Sequence, residues 1–226
     1  MSDAMPSKPG DFRDSLYADQ GMVWMQSMTM GSGPEANQPP WSLFRKAAEH
    51  VRAHDRNLAV EELKGILARP DVETRVRLWA WKCLRDQGEK PDPAIKDQVQ
   101  GIVIEIPEAE GTDVMAVYAD GTARHADPEG KTTVWDGRPG PVMDRVMSMI
   151  ADAQKVVGTV KPTDNRLSVK TKVRVTLLTF GGLRTAEEDA TVLRSGRSPL
   201  SPVFTTATST IVALARATDS SGAGGE

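Results

Sequence analysis

The sequence predicts an α+β fold, in which an N-terminal three-helix element precedes a mainly antiparallel sheet of about six strands with helices packed on one face. Apolar residues recur at helical spacing between residues 41 and 90. Short alternating runs separated by turn dipeptides follow from residue 99 to 135, and an amphipathic stretch separates them from a second hairpin. Runs of strands with helices between them are typical of α+β proteins.

The composition excludes several classes of protein. The 226 residues carry a formal net charge of -3, which gives no general attraction for nucleic acid or for an anionic membrane. The one cysteine, Cys83, excludes a disulfide framework and a cysteine-based zinc site, and a reducing cytoplasm is the simplest compartment. No apolar run of about 18 residues occurs. We therefore expect neither a nucleic-acid partner nor a membrane span.

Residues 1–40 are rich in Met, Ser, Gly, Pro and Gln, which predicts a flexible lead. Within it, methionine and tryptophan are dense, at Met22, Trp24, Met25 and Met28. Exposed side chains of this kind can form an adaptable segment that docks on another protein. The alternative is that the stretch packs on its own domain.

Residues 41–90 form the predicted helical element. A first helix has one apolar face, and a second ends near Pro70, because a proline disfavours helical backbone in the residue before it. Asp71 suits the N-cap of a third helix, which Gly88 closes. The apolar faces of the first and third helices comprise Trp41, Phe44, Ala48 and Val51, and Val72, Val76, Trp79, Ala80 and Leu84.

This helical element resembles a degenerate tetratricopeptide-type unit, of which it covers about one and a half repeats. The resemblance implies binding of a peptide or a protein. Because one such unit cannot bury its own face, a plain three-helix packing element is the alternative. The residues that carry the resemblance are Ala59, Leu63, Pro70, Trp79 and Trp81, whereas Ala47 stands where the family usually has glycine and His50 or Val51 where it usually has tyrosine.

The clearest strand signal lies between Val99 and Trp135. Residues 102–106 alternate Ile with Val or Glu, which predicts a strand with one buried face. Asp120-Gly121 is the dipeptide that a two-residue type I′ turn requires, since both central residues of that turn need a positive φ. With two further runs, this stretch is predicted to form a four-strand meander.

The remaining predicted elements complete an α+β domain over residues 97–217. An amphipathic helix after the meander suits packing across one face of the sheet. Residues 170–178 alternate and predict a fifth strand, and residues 183–185 predict a sixth. Residues 203–217 are predicted to be helical, although their threonine content leaves a strand open. We expect the Ser/Gly-rich tail, residues 218–226, to be disordered.

Five short sequence segments are distinctive between residues 99 and 215: Tyr118 to Arg124, Gly130-Lys131, Val134 to Asp136, Leu177 to Thr179 and Gly182-Leu183. Through these segments, residues 99–215 resemble hypothetical bacterial proteins that have no assigned activity. This resemblance implies a bacterial origin and a single structural unit over that range, and it implies no function.

Two groups of residues have side chains suited to metal binding or catalysis. His50 and His54 stand four apart on a predicted helix and could share a metal, but no third ligand is identifiable by spacing, so we expect an exposed pair and no metal site. A carboxylate pair could perform acid–base chemistry, yet aspartate at a turn usually has a structural role. The aspartates of the meander are Asp113, Asp120, Asp127 and Asp136.

A third group is basic. Lys170, Lys172 and Arg174 are predicted to line one face of the fifth strand. They could form a basic patch for phosphate or for an acidic partner. The alternative is that they guard an edge strand against aggregation.

These patterns predict a non-catalytic cytoplasmic protein that binds another protein as a scaffold or regulator, without a cofactor, and the resemblance of residues 99–215 implies that the cytoplasm is bacterial. A homodimer through paired sheet edges such as residues 170–178 is compatible with them. The alternatives are a regulatory domain that responds to a small ligand and a hydrolase with a carboxylate pair between Asp113 and Asp136. The predicted contact residues are Met22, Trp24, Met25, Met28, Trp41 and Trp81.

Overall fold

A computed structural model describes residues 9–22, 24, 37–163 and 171–222. The helices are α1 (Pro9–Leu16), α2 (Trp41–Arg52), α3 (Arg56–Leu67), α4 (Thr74–Asp86), α5 (Pro93–Lys96), α6 (Pro141–Val156), α7 (Ala190–Arg194) and α8 (Ser201–Gly222). The strands are β1 (Val99–Pro107), β2 (Thr112–Tyr118), β3 (Ala123–Ala126), β4 (Thr132–Trp135), β5 (Val173–Thr179) and β6 (Gly182–Glu188). This order confirms the predicted α+β fold class.

The six strands form one antiparallel sheet in the order β4-β3-β2-β1-β5-β6. The meander and the later hairpin therefore join along β1 and β5, and Glu105 of β1 lies opposite Arg174 of β5. Since β5 pairs on both sides, it is an interior strand, and the structure differs here from the predicted edge. It consequently offers no edge for guarding or for pairing with a second copy.

Helices cover both faces of the sheet, because alternate residues of β1 are apolar on both sides. Ile102 and Ile104 pack in a core with residues of α6 and α8. Val103 packs in a second core, which we call the N-terminal core, with residues of α1 to α4. The sequence predicts helices on one face, which α6 and α8 occupy, and the structure adds the N-terminal helices on the other.

Both chain ends are more ordered in the described residues than the composition predicts. Helix α1 lies within the predicted flexible lead, and its residues Phe12 and Leu16 are buried in the N-terminal core. Helix α8 includes residues 203–217 and continues to Gly222, beyond the predicted start of a disordered tail. None of the described helices is long and apolar enough to cross a membrane.

The turn between β2 and β3 differs in type from the predicted one. Gly121 N donates to Tyr118 O (2.9 Å), and Tyr118 N donates to Thr122 O (3.0 Å). Gly121 has a φ of 84°, whereas Asp120 has no positive φ. These features identify a three-residue loop with one left-handed glycine, in which Asp120 remains in ordinary backbone space.

Asp120 links this turn to the helical layer. Its Oδ2 accepts a hydrogen bond from Thr74 N (2.7 Å) at the first residue of α4, and its Oδ1 accepts one from Thr122 N (3.1 Å). The residue at the N-cap position, Glu73, makes no capping bond with its own side chain. The cap of α4 is thus supplied by the sheet and not by Asp71, which the sequence suggests.

Candidate functional site

Three tryptophans from separate parts of the chain meet over the N-terminal core. Trp79 of α4 is buried, with 3% exposure. Its ring centroid lies 5.3 Å from that of Trp24 and 6.4 Å from that of Trp41. Trp24 and Trp41 remain half-buried, as does Met22, which packs against the same core. We call Met22, Trp24, Trp41 and Trp79 the aromatic surface.

Local sequence explains two of these positions. Trp41 begins α2 and packs against Phe44, three residues on along the same helix, with ring centroids 6.1 Å apart. On α4, the guanidinium of Arg75 lies over the Trp79 ring, 4.8 Å from its centroid. This is the distance of a cation–π contact, so the aromatic surface carries a positive group on α4.

The predicted contact residues divide into three groups. Met22, Trp24 and Trp41 come together on the N-terminal core, which agrees with the alternative that the Met/Trp stretch packs on its own domain. Trp81 packs instead against Phe180, with ring centroids 5.8 Å apart. Met25 and Met28 lie outside the described residues. Trp79 joins the surface although its spacing indicated only a core residue.

A carboxylate is buried on the face of β1 that also carries Val103 and faces the N-terminal core. Glu105 has 0% exposure. Arg13 Nε donates to its Oε1 (2.6 Å) and the Tyr17 hydroxyl donates to its Oε2 (2.5 Å). Arg174 also donates to Oε2 (3.3 Å) and bonds Glu187 on β6 (2.5 Å). Two guanidinium groups therefore balance the buried charge of Glu105 together with that of Glu187, whose side chain is 42% exposed.

Residues 12–20, which we call the N-terminal segment, meet three more polar side chains of the body. The Tyr118 hydroxyl donates to Leu16 O (2.6 Å). Trp79 Nε1 donates to Gln20 Oε1 (2.6 Å). In addition, Arg85 pairs with Asp19 at 3.0 Å. No local pattern in the sequence indicates these contacts, because the partners are separated by 59 to 102 residues.

Burial shifts the acid–base properties of this region. Burial and the adjacent Glu105 carboxylate raise the pKa of Tyr17 well above its usual value. Burial also raises the pKa of Tyr118 to about 12 and that of the Cys83 thiol to about 12. The phenols therefore remain protonated donors at neutral pH, and the thiol stays in its unreactive form.

The structure differs from the predicted basic patch. Arg174 is buried between two carboxylates and presents no charge to solvent. Lys172 is exposed but precedes the first residue of β5, and Lys170 lies outside the described residues. Alternation along the strand could not reveal the carboxylates on the neighbouring strands that pair with Arg174.

The histidine pair is not arranged as one helical face. Helix α2 ends at Arg52, so that His50 is helical and His54 lies beyond the helix with a φ of 59°. Within the described ranges, no group of three or more His, Cys, Asp or Glu residues could hold a metal ion.

The aspartates of the meander occupy structural positions. Asp113 lies 2.5 Å from His125 Nε2, and Asp120 caps α4. Asp127 accepts a backbone hydrogen bond (2.7 Å) within the β3–β4 turn, and Asp136 pairs with an exposed arginine at 2.9 Å. Each of the four thus has a partner of the kind expected for a turn or strand-pairing residue.

Comparisons with known proteins identify no relative. No family model matches the chain, no curated protein matches it, and no solved structure matches it.

Proposed function

We propose that this chain is a non-catalytic protein-binding module, and that its partner contacts the aromatic surface. The observation that carries the proposal is that Trp24 and Trp41 cover Trp79 and yet stay half-buried. Tryptophan is enriched among the residues that dominate binding energy at protein interfaces, where it fills well-packed pockets from which the surrounding contacts exclude water. Met22 adds an adaptable apolar side chain at the same place.

The charge of the helical element supports an acidic partner. Residues 41–90 contain eleven Lys and Arg against eight Asp and Glu, whereas the whole chain has a net charge of -3. Arg75 places one of these cations directly beside Trp79. A partner segment with an apolar anchor flanked by carboxylates would match this surface both in shape and in charge.

We further place this activity in a bacterial cytoplasm. The support is the single cysteine, which is buried and free. A chain without a disulfide framework is typical of a reducing compartment. The resemblance of residues 99–215 to hypothetical bacterial proteins favours the same origin.

The test is affinity capture of the full-length protein from a lysate of its source cells, with partners identified by mass spectrometry. We expect a stoichiometric acidic protein on the wild-type chain and at least a tenfold loss of it on Trp24→Ala, because truncation of a central tryptophan typically costs an interface about 2 kcal/mol or more. Leu58→Ala is the matched control, since Leu58 is an exposed apolar residue of α3 (42% exposed) away from the aromatic contacts.

Circular dichroism of each variant establishes that it is folded before capture. Equal capture by folded Trp24→Ala and by the wild type would contradict the proposed surface. Loss of the partner on Leu58→Ala alone would move the contact to a different face of the helical element.

A further inference from the structure

The side chains that receive the N-terminal segment form a groove with the character of a recognition site. Trp79 and Arg85 come from α4, Glu105 from β1 and Tyr118 from β2, and each of the four bonds a residue of the segment. Three of them are at least nine-tenths buried. They include a carboxylate, a hydroxyl, an indole and a guanidinium. Together these groups can form ion pairs with a peptide and hydrogen bonds with its backbone and with a side-chain amide. We call Trp79, Arg85, Glu105 and Tyr118 the receiving groove.

This chemistry is unusual for the permanent interior of a domain. A buried ion pair is often no more stabilising than apolar residues of the same volume, but an occupant that fails to supply one partner leaves an uncompensated buried charge and binds far more weakly. Both oxygens of Glu105 accept hydrogen bonds from the segment, one from Arg13 and one from Tyr17. The carboxylate thus selects a guanidinium and a phenol placed four residues apart, which is one turn of a helix.

We propose that the receiving groove is a peptide-binding site, that the N-terminal segment is its intramolecular occupant, and that a short helical segment of a partner protein with arginine and tyrosine at positions i and i+4 binds there in its place. This inference rests on the proposed function, because both require that the partner is a protein. The complementarity of the Glu105 carboxylate to this pair of donors argues for this occupant.

The occupied groove is coupled to the aromatic surface. Trp79 belongs to both, because its indole nitrogen bonds Gln20 while its ring contacts Trp24 and Trp41. If the N-terminal segment is displaced, Trp79 therefore loses its hydrogen bond to Gln20, although Trp24 and Trp41 still contact its ring. A partner that binds the aromatic surface and one that binds the groove consequently influence each other.

Covalent attachment protects the groove from outside ligands. A tethered segment acts as a ligand at an effective concentration in the millimolar range. Twenty residues separate Gln20 from Trp41, a length that spans at most about 70 Å when fully extended. A segment of equal intrinsic affinity hence competes poorly until the tether is cut.

The experiment uses the full chain with a protease recognition site inserted within residues 25–36 and cleaved after folding. The probe is a synthetic fluorescent peptide of residues 9–22, followed by fluorescence anisotropy. We expect saturable binding to the cleaved protein and at least a hundredfold weaker binding to the uncleaved protein. Peptides with Arg13→Ala or Tyr17→Phe should bind at least tenfold and about threefold more weakly, respectively.

The matched control is a peptide with Asp14→Asn, because the Asp14 side chain is 58% exposed and forms an ion pair within the segment itself, with Arg13 at 3.2 Å. It should bind like the unaltered peptide. If the cleaved fragment stays bound and never exchanges while the protein remains folded, the segment is a permanent part of the fold and the proposal fails. Dimers of the uncleaved protein with exchanged segments would also overturn it, since the occupant would then be a second copy.

Failure here is separable from failure of the proposed function. If the peptide does not exchange but a partner is captured in a Trp24-dependent manner, the receiving groove is not a peptide-binding site and the proposed function of the aromatic surface stands. If the peptide exchanges but no partner is captured in a Trp24-dependent manner, the aromatic surface is not the partner contact and the receiving groove remains a peptide-binding site.

Discussion

Glu105 is the residue on which the contacts between the N-terminal segment and the sheet depend most. We expect Glu105→Gln to lower the free energy of unfolding by about 3 kcal/mol, because the change leaves Arg13 and Arg174 with less negative charge inside the fold. Urea unfolding followed by circular dichroism measures the change.

Glu110→Gln is the control for that substitution. Glu110 is exposed in the turn after β1, so its replacement should change the free energy of unfolding by no more than about 0.5 kcal/mol. Equal stability of Glu105→Gln and Glu110→Gln would show that the buried carboxylate contributes no net stability.

The two tyrosines of the chain, Tyr17 and Tyr118, provide a pH test of the same region. Their folded pKa values lie above the unfolded value of about 10. Each therefore stabilises the fold fully below pH 10, and the contribution of Tyr118 is lost as pH rises towards about 12.

Ultraviolet titration of tyrosinate measures this behaviour directly. The folded protein should show no phenol ionising near pH 10, whereas the urea-unfolded chain should show both ionising there. A tyrosinate signal near pH 10 in a protein that retains its circular dichroism would mean that one phenol is accessible to water.

Among the elements, α4 depends on a residue of the sheet for its first turn. Asp120→Ala removes the acceptor for Thr74 N and an acceptor within the β2–β3 turn. We expect the free energy of unfolding to fall by about 1–2 kcal/mol, the usual cost of losing a helix cap.

Asp136→Ala is the matched variant for that test. Asp136 is also a turn aspartate, but its pairing with Arg138 is exposed to solvent, so we expect a change within about 0.5 kcal/mol. If Asp120→Ala and Asp136→Ala lower the free energy of unfolding by similar amounts, the loss does not come from the cap of α4. It would then be a general effect of removing an aspartate between two elements.

Helices and strands whose apolar residues recur at a regular spacing could be predicted from the sequence. How these elements are arranged in space could be predicted only in part. Helices α2 to α4 and strands β1 and β2 lie within the predicted ranges, because burial of one face imposes a period that is visible locally. Val103 alternates with the isoleucines of β1 and is equally apolar, a sign that both faces of the strand are buried. The second helical layer could have been inferred from that residue.

The candidate site was less predictable for a physical reason. Met22, Trp24 and Trp41 could be selected by residue type, since dense Met and Trp are informative in a polar stretch. The bond between Arg13 and Glu105 spans 92 residues, and neither residue differs locally from an ordinary exposed charge. Periodicity reports on burial along one element and carries no information on which distant charge lies opposite.

At the scale of the whole molecule, the two helical layers share one sheet. Strand β1 supplies apolar side chains to both cores. We therefore expect residues 41–90 and 97–217, which the sequence predicts as separate units, to unfold together in a single cooperative transition. Trp135 packs on the α6/α8 side, and the other four tryptophans pack against the N-terminal core.

Urea unfolding measured by fluorescence in Trp135→Phe, and by circular dichroism in the same variant, tests this cooperativity. Fluorescence then reports on the N-terminal core alone, and circular dichroism reports on both layers. The two midpoints should coincide, whereas a separate early fluorescence transition would show that the helical element unfolds by itself.

The long separation between the N-terminal segment and its partners has a consequence for synthesis on the ribosome. The segment is translated first, but the groove is not complete until Tyr118 has been made. At about 5–20 residues per second, that interval lasts roughly 5–20 s. Until then the strands that complete the N-terminal core are missing, so the nascent chain exposes the apolar side chains of Phe12 and Leu16, which holdase chaperones can bind.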